Sequence, residues 1–188
     1  MLEQIKQDIL AILKQSIEAI KENNIVRLRD LSNQTIHDSS IFQDENSITI
    51  AILMYSLNKI FQRTSYQEYK DWKVFYQITL GSLEKAHEEL NKNNMQNYQN
   101  EIKKILNIID KLSSHLKKYV KEVFEESQIA KGSRLYEHGL SIGKTSELLG
   151  ISKWELMEYI GRTGINDMND SISLNIEERI KFTRSLFK

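Results

Sequence analysis

Residues 133–165 read SRLYEHGLSIGKTSELLGISKWELMEYIGRTGI, two short apolar patterns separated by a glycine. Ser141 is placed to cap a first helix, which the pattern extends to Leu149, and a second helix is predicted from Ser152 onward. Gly150 stands between them, where a left-handed backbone lets two helices meet without a Cβ clash. This order of elements is typical of a helix-turn-helix.

The two helices are expected to have an inner and an outer face. The inner face is predicted to fill the angle between the helices with Ile142, Leu148, Leu149, Ile151, Leu156, Tyr159 and Ile160. The outer face is predicted to carry Ser152, Lys153, Trp154, Met157, Glu158 and Arg162. Such a face fits the major groove of DNA, and Lys144 and Arg134 add positive charge for the phosphates. These outer residues and the two cations are the predicted DNA-binding residues.

The same stretch resembles a family of small antitoxin-like helix-turn-helix proteins, which are often encoded beside toxin genes in bacteria and archaea. The shared pattern consists of Leu135–Tyr136, His138–Gly139, Ser141–Ile142–Gly143–Lys144, Gly150–Ile151–Ser152, Trp154–Glu155–Leu156 and Gly164–Ile165. A weaker match follows in the Glu-rich tail from Asn175 to Phe187. Ser146 departs from the family, which usually has Ala there, and its hydroxyl is expected to need a backbone partner. The resemblance implies sequence-specific binding to double-stranded DNA.

The rest of the chain is also predicted to be helical, because Pro is absent and Gly occurs only seven times. Apolar residues at helical spacing predict helices over residues 5–22, 26–37 with a break at 38–40, 48–61 with a cap among 43–47, 68–91 and 95–129. The last of these carries a heptad-like seam, which fits either a long bundle helix or a dimerising coiled coil.

The predicted fold class is therefore all-α, with an N-terminal helical bundle of long antiparallel helices and a C-terminal helix-turn-helix. Lys131–Gly132 is the predicted boundary between them. Residues 1–130 are assigned to dimerisation or partner binding, and residues 131–188 to the helix-turn-helix domain with a C-terminal helical tail.

The chain has no net charge, with 26 basic and 26 acidic residues. Residues 1–130 hold 17 basic and 18 acidic side chains, and residues 131–188 hold 9 and 8, so neither part attracts nucleic acid as a whole. DNA binding therefore has to be local, and a homodimer would double the number of phosphate contacts. The sequence thus favours a dimeric DNA-binding transcriptional regulator or antitoxin-like protein.

Two features of the helix-turn-helix region favour a protein partner instead. Glu155 and Glu158 would repel phosphates, and Trp154 is a residue typical of a core or a dimer interface. The alternative hypothesis is a non-enzymatic helical interaction module, for example one that neutralises a toxin through the tail Asn166–Lys188.

A third hypothesis concerns Arg29 and His37, which invite comparison with HEPN-like helical ribonucleases that pair an Arg with a nearby His. Seven residues intervene here. Eight positions on one helix turn the chain by about 800 degrees, which leaves the two side chains about 80 degrees apart. They would need a break in the helix to reach one phosphodiester. Residues 31–60 also look like a module of uncharacterised archaeal proteins, which implies no activity.

Other functions are disfavoured by composition. Cys is absent, which excludes disulfides and thiolate chemistry. His87, His115 and His138 have no second ligand three or four positions away, so no metal or other cofactor is predicted. No Gly-rich phosphate loop or nucleophile motif is present, and the chain is predicted not to be an enzyme. The absence of Cys also favours a cytoplasmic location. The most apolar stretch, Ile48–Phe61, is shorter than the ~20 residues of a spanning helix, so no membrane role is predicted.

Overall fold

A computed structural model describes residues 1–42 and 44–163 of this chain, with the side chains of 38–42 left out. Every regular element in these two ranges is helical, which confirms the all-α prediction. The α-helices are α1 (Glu3–Lys21), α2 (Ile25–Phe42), α3 (Glu45–Gln62), α4 (Trp72–Asn91), α5 (Met95–Asn107), α6 (Ser114–Glu137), α7 (Ile142–Leu149) and α8 (Lys153–Thr163). Short 3-10 helices cover Thr64–Glu68 and Ile108–Lys111. The predicted tail, including Gly164–Ile165, Asn166–Lys188 and the match from Asn175 to Phe187, lies outside the described residues.

Local chemistry sets several of the helix ends. The carboxylate of Asp44 accepts a hydrogen bond from the Ser47 N–H at 2.8 Å and caps α3, within the segment where the cap was predicted. Asn23 and Asn93 have φ angles of 54° and 62° just after α1 and α4. Asn tolerates this left-handed conformation better than most residues, so each helix ends there and the chain reverses.

The predicted break at Asp38–Ser40 is wrong, because α2 continues through it to Phe42. Neither Gly nor Pro occurs in that stretch to interrupt the backbone hydrogen bonds. The helix predicted to begin at Glu68 begins instead at Trp72, after the 3-10 turn.

The long helix predicted over residues 95–129 is also wrong. Its chain leaves helical geometry at Leu112 and Ser113, whose ψ angles are 154° and 153°. The Ser113 N–H donates to the Asp71 carboxylate at 2.7 Å, so a distant residue satisfies the backbone at the break. The heptad-like seam is therefore divided between α5 and α6, and it forms no continuous coiled-coil helix.

The main apolar core is built by α1 to α6, and α3 contributes to it along most of its length. Its largest fully buried side chains include Phe75, Tyr98, Leu13, Leu31 and Leu57. Within the described ranges, no helix is long and apolar enough to cross a membrane.

A second, smaller apolar cluster joins the end of the described chain to α2 and α3. Its buried members are Ile36, Ile48, Ala51, Ile52, Leu135, Leu140 and Leu149. They come from α2, α3, α6, α7 and the loop before α7. Helix α6 is continuous across Lys131–Gly132, so the predicted boundary falls inside a helix. The rest of this region is positioned by packing rather than by a linker.

Candidate nucleic-acid interface at α7 and α8

The bounds of α7 and α8 are set by a cap at the start of each helix and by a left-handed glycine between them. The Ser141 hydroxyl accepts a hydrogen bond from the Lys144 N–H at 3.2 Å, as predicted for an N-cap. Gly150 has φ 64° and ψ 25°, the predicted left-handed conformation. At the start of α8, the Ser152 N–H donates to the Glu155 carboxylate at 3.0 Å, and the Glu155 N–H donates to the Ser152 hydroxyl at 3.1 Å. This reciprocal pair fixes where α8 begins.

The inner face of α8 packs on α6 at Gly132. Leu156 and Ile160 are buried, and α8 contacts both α6 and α7. A Cβ atom placed on Gly132 would lie 2.7 Å from Leu149 Cδ1 and 3.2 Å from Leu156 Cδ1. The absence of a side chain at this position therefore lets α7 and α8 approach α6 closely.

Other members of the predicted inner face are less enclosed than expected. Leu149, Leu156 and Ile160 are buried, whereas Ile142, Leu148, Ile151 and Tyr159 are only partly buried. The predicted backbone partner for Ser146 is wrong among the described residues, where its buried hydroxyl and the adjacent hydroxyl of Thr145 have no hydrogen-bond partner. Both side chains lie where α7 packs, so their small size rather than their polarity suits the position.

The outer face of α8 is open to solvent. Trp154 is 80% exposed and Met157 is 47% exposed. These residues are three positions apart, so they lie on one side of the helix, opposite the packing on α6. Trp154 therefore lies outside the core formed by the described residues, so its interpretation as a core residue is wrong, whereas its interpretation as a dimer-interface residue stays a prediction. The other predicted outer residues, Ser152, Lys153, Glu158 and Arg162, are exposed too.

Most of the predicted phosphate-binding cations already have a carboxylate neighbour. The Lys144 ammonium lies 3.3 Å from Glu147, and the Arg162 guanidinium lies 4.0 Å from Glu158. Arg134 pairs with Glu137 at 2.6 Å and projects from α6, one helix away from α8. Lys153 has no carboxylate within 4.0 Å in the described part of the chain. The Lys144 and Arg162 pairs are exposed on both sides, so they are weak and can be exchanged for phosphates at little cost. The Glu137 side chain is only 13% exposed, so Arg134 is held more firmly.

The two acidic residues of α8 have different roles. The carboxylate of Glu155 turns back to the helix start, and its contacts with Ser152, first the hydroxyl and then the N–H, hold its pKa below the ordinary value. It therefore compensates the unpaired N–H groups of α8 as well as adding negative charge. Ser152 is occupied by the same cap, which leaves its hydroxyl less available to DNA than predicted.

Comparison with other proteins adds no match. No family model, curated protein or solved structure matches this chain. The function proposed for α7 and α8 therefore depends on their own residues.

A cleft beside α8 was missed by sequence reasoning. It lies between α3, α6 and α8, has a volume of about 520 Å³, and is called here the α3–α6–α8 cleft. Its polar lining includes Tyr55, Lys59, Arg63, Tyr119, Glu122, Glu126, Tyr159 and Arg162. Lys59 lies in the last turn of α3 and Arg63 follows its last residue, both far in sequence from α8. Only the packing of α8 on α6 brings these cations near Arg162.

Lys131 was also missed as a site residue, since it was interpreted only as a boundary. It is 2% exposed, and its ammonium donates to the Asn33 side chain at 2.9 Å and lies 4.6 Å from the Tyr55 ring centroid. Burial, with a smaller contribution from Arg134, lowers its pKa to about 8. No carboxylate compensates the charge within 4.0 Å among the described residues, so Lys131 is a buried cation that links α6 to α2 and α3.

The residues of the ribonuclease hypothesis do not converge. Helix α2 is unbroken from Ile25 to Phe42, so Arg29 and His37 keep their angular separation, and Arg29 lies 3.8 Å from the Asp30 carboxylate. His37 instead meets His138, with ring centroids 5.1 Å apart. Within the described ranges, no three His, Asp or Glu side chains are grouped closely enough to hold a metal ion.

Proposed function

We propose that α6, α7 and α8 act as a helix-turn-helix and that the protein is a dimeric DNA-binding regulator or antitoxin-like protein. The observation that supports this most directly is the outer face of α8. A short helix is anchored on α6 through Leu156 and Ile160, while Trp154 and Met157 extend into solvent. The two side chains form a small apolar face on one side of α8, which a partner can cover.

The chemistry of this face suits a DNA groove. Apolar side chains contact the methyl group of thymine, and Lys153 and Arg162 can donate to base edges or phosphates. Lys144 follows the start of α7, and Arg134 precedes it on α6, which are positions for phosphates that flank a groove. The weak net charge of the region is offset in a dimer, which places two such faces on one duplex. Residues 1–130 would supply the dimer contact as a helical bundle.

A protein partner is the second candidate, favoured by the same exposed pair of Trp154 and Met157. An apolar contact of this kind would tolerate Glu155 and Glu158 and would not need Lys153 or Arg162. The two candidates differ in their salt dependence, because phosphate contacts weaken steeply as salt rises and apolar contacts do not.

The deciding experiment is a fluorescence anisotropy titration of the full chain with two duplexes. One has a mixed sequence, and the other is the DNA immediately upstream of the gene that encodes this protein. Measurements at two salt concentrations, with the molecular mass determined in parallel, should give salt-sensitive binding of a dimer that prefers the upstream region. Absence of binding at low salt would favour the protein-partner candidate.

Variants assign the binding to α8. Lys153→Glu with Arg162→Glu is expected to weaken duplex binding at least ~10-fold while helicity is unchanged, since both residues are exposed. Lys14→Glu with Lys73→Glu reverses two exposed charges on α1 and α4 and serves as the matched control. Equal effects of the two double variants would remove α8 from the interface.

A further inference from the structure

Apart from Arg162, the cations and aromatic rings of the α3–α6–α8 cleft are not used by the outer face of α8. We propose that it binds a nucleoside phosphate, with the phosphate on Lys59, Arg63 and Arg162 and the base against Tyr159. Its volume of about 520 Å³ lies within the range of about 300 to 1,000 Å³ that is usual for small-molecule sites.

The cation at the centre of the argument is Arg63. Its guanidinium carbon lies 5.0 Å from the ring centroid of Tyr119, and the Tyr119 ring is stacked on Tyr66 at 4.0 Å. The Tyr119 hydroxyl donates to the Lys59 carbonyl at 3.0 Å, which fixes the ring. Burial raises the pKa of Tyr119 above its ordinary value of 10. The phenol is therefore neutral at physiological pH and adds no negative charge to the cleft.

Lys59 and Arg63 are free to meet an anion. Neither has a carboxylate within 4.0 Å among the residues that the structure describes, although Glu122 and Glu126 line the same cleft. A guanidinium that rests on an aromatic ring keeps its N–H groups available at the ring's edge for a bidentate phosphate contact. Arg162 approaches from α8 and is 70% exposed on its side chain.

The remaining lining distinguishes a nucleotide from a bare phosphate. Tyr159 is partly exposed and offers a ring for stacking, while Val123 adds an apolar wall. Glu122 and Glu126 can accept hydrogen bonds from ribose hydroxyls or an exocyclic amino group, and they would oppose a phosphate placed beside them. A cleft for phosphate alone would not need these groups.

A duplex is a poorer fit for the same cleft. Its bases are stacked inside the helix, so it could reach Lys59 and Arg63 with phosphates but could not place a base on Tyr159 without flipping it out. A small ligand can satisfy the cations, the ring and the carboxylates together. Because such a ligand would join Arg63, just after α3, to Arg162 of α8, it would compete with DNA for Arg162, a consequence that rests on the proposed function.

The test is isothermal titration calorimetry of the full-length protein with AMP, ATP, adenosine and inorganic phosphate. AMP and ATP should bind, with inorganic phosphate and adenosine each at least tenfold weaker. Lys59→Gln with Arg63→Gln should weaken AMP binding at least tenfold, and Tyr159→Leu should weaken AMP but not phosphate. Lys14→Gln, an exposed lysine on α1, is the control and should bind AMP like the natural chain.

Circular dichroism checks that each variant is folded. If the double variant does not fold, Lys59→Gln alone is tested in its place. AMP binding unchanged by the substitutions, equal binding of AMP and phosphate, or no nucleotide binding at millimolar concentration would each overturn the proposal. If no nucleotide binds and the double variant binds a DNA duplex more weakly than the natural chain does, the cleft is a contact for the DNA backbone. That outcome also overturns the nucleotide proposal. The titrations contain no DNA, so their outcome is separate from that of the proposed DNA binding.

Discussion

The α1–α6 part of the chain and the α7–α8 pair bury apolar residues in different ways. The first builds one large core in which side chains such as Phe75 and Leu83 are wholly enclosed. Helices α7 and α8 have only 8 and 11 residues, fewer than the ~12–15 at which an isolated helix becomes even marginally stable. They depend on a few contacts with α6 and, for α7, with the small cluster. The comparison teaches that the candidate interface is held by docking, so its outer face can change without affecting the core.

The largest expected effect tests that division directly. Leu83→Ala should lower the free energy of unfolding of the chain by about 2–5 kcal/mol, because it empties space in the main core. Leu149→Ala removes the same atoms from the small cluster, at a side chain that is 7% exposed, and should cost about 2 kcal/mol, the lower end of the same range. Urea unfolding measures both.

Hydrogen exchange then locates each effect. With Leu149→Ala, amides of α7 and α8 should lose protection while those of α1 to α4 keep it. Equal loss throughout the chain would mean that the two parts unfold as one unit and that the comparison fails.

Lys131, which links α6 to α2 and α3 within the first part, gives the next effect through pH. Its pKa is about 8 in the folded protein and is near the ordinary value of 10.5 when unfolded, so between these values the unfolded chain binds more protons. Stability should therefore rise with pH in this window, by about 2 kcal/mol between pH 8 and pH 10. Above pH 10 buried Tyr98 and Tyr119, whose pKa values are raised by burial, work in the opposite direction.

Lys131→Met should abolish this rise and should be at least as stable at pH 7, because the buried charge is removed and exposed Asn33 can turn to water. Chemical unfolding between pH 7 and pH 10 measures it, with Lys14→Met as the control at an exposed site. A rise of the same size in Lys131→Met would assign it to other groups.

Two glycine substitutions compare the contact of α7 and α8 on α6 with an open position on α4, and their expected effects on stability are smaller. Gly132→Ala gains helix propensity but presses on Leu149 and Leu156, and we expect a net loss of about 1 kcal/mol. Gly81→Ala lies inside α4 with nothing within 4 Å, so it should stabilise by about 0.5–1 kcal/mol. Thermal unfolding of both gives the sign, and a stabilising Gly132→Ala would show that the helices at this contact can separate freely.

The smallest expected effect on stability is that of Trp154→Ala. The side chain is 80% exposed, so its removal should change the free energy of unfolding by no more than about 0.5 kcal/mol. The same substitution should weaken binding of whichever partner meets α8. A marked loss of stability in the monomer would show that Trp154 packs against this chain after all.

Several local features could be read from sequence because they depend on neighbouring residues. The caps at Asp44 and Ser141 and the left-handed Gly150 follow from side-chain and backbone chemistry within a few positions. The exposure of Trp154 and Met157 agrees with the outer face predicted from helical periodicity. The break between α5 and α6 could not be read in this way, since the Ser113 N–H is satisfied by Asp71.

By itself, the sequence determined the helical class, most helix positions and the outward face of α8, because helix propensity and apolar spacing act over one or two turns. Tertiary structure alone decided that Lys131–Gly132 lies within a packed helix and that Lys59 and Arg63 share a cleft with Arg162. These relations join residues far apart in the chain. They arise from the angle at which α6, α7 and α8 dock, which is set by packing volumes such as the missing side chain of Gly132 rather than by any local pattern.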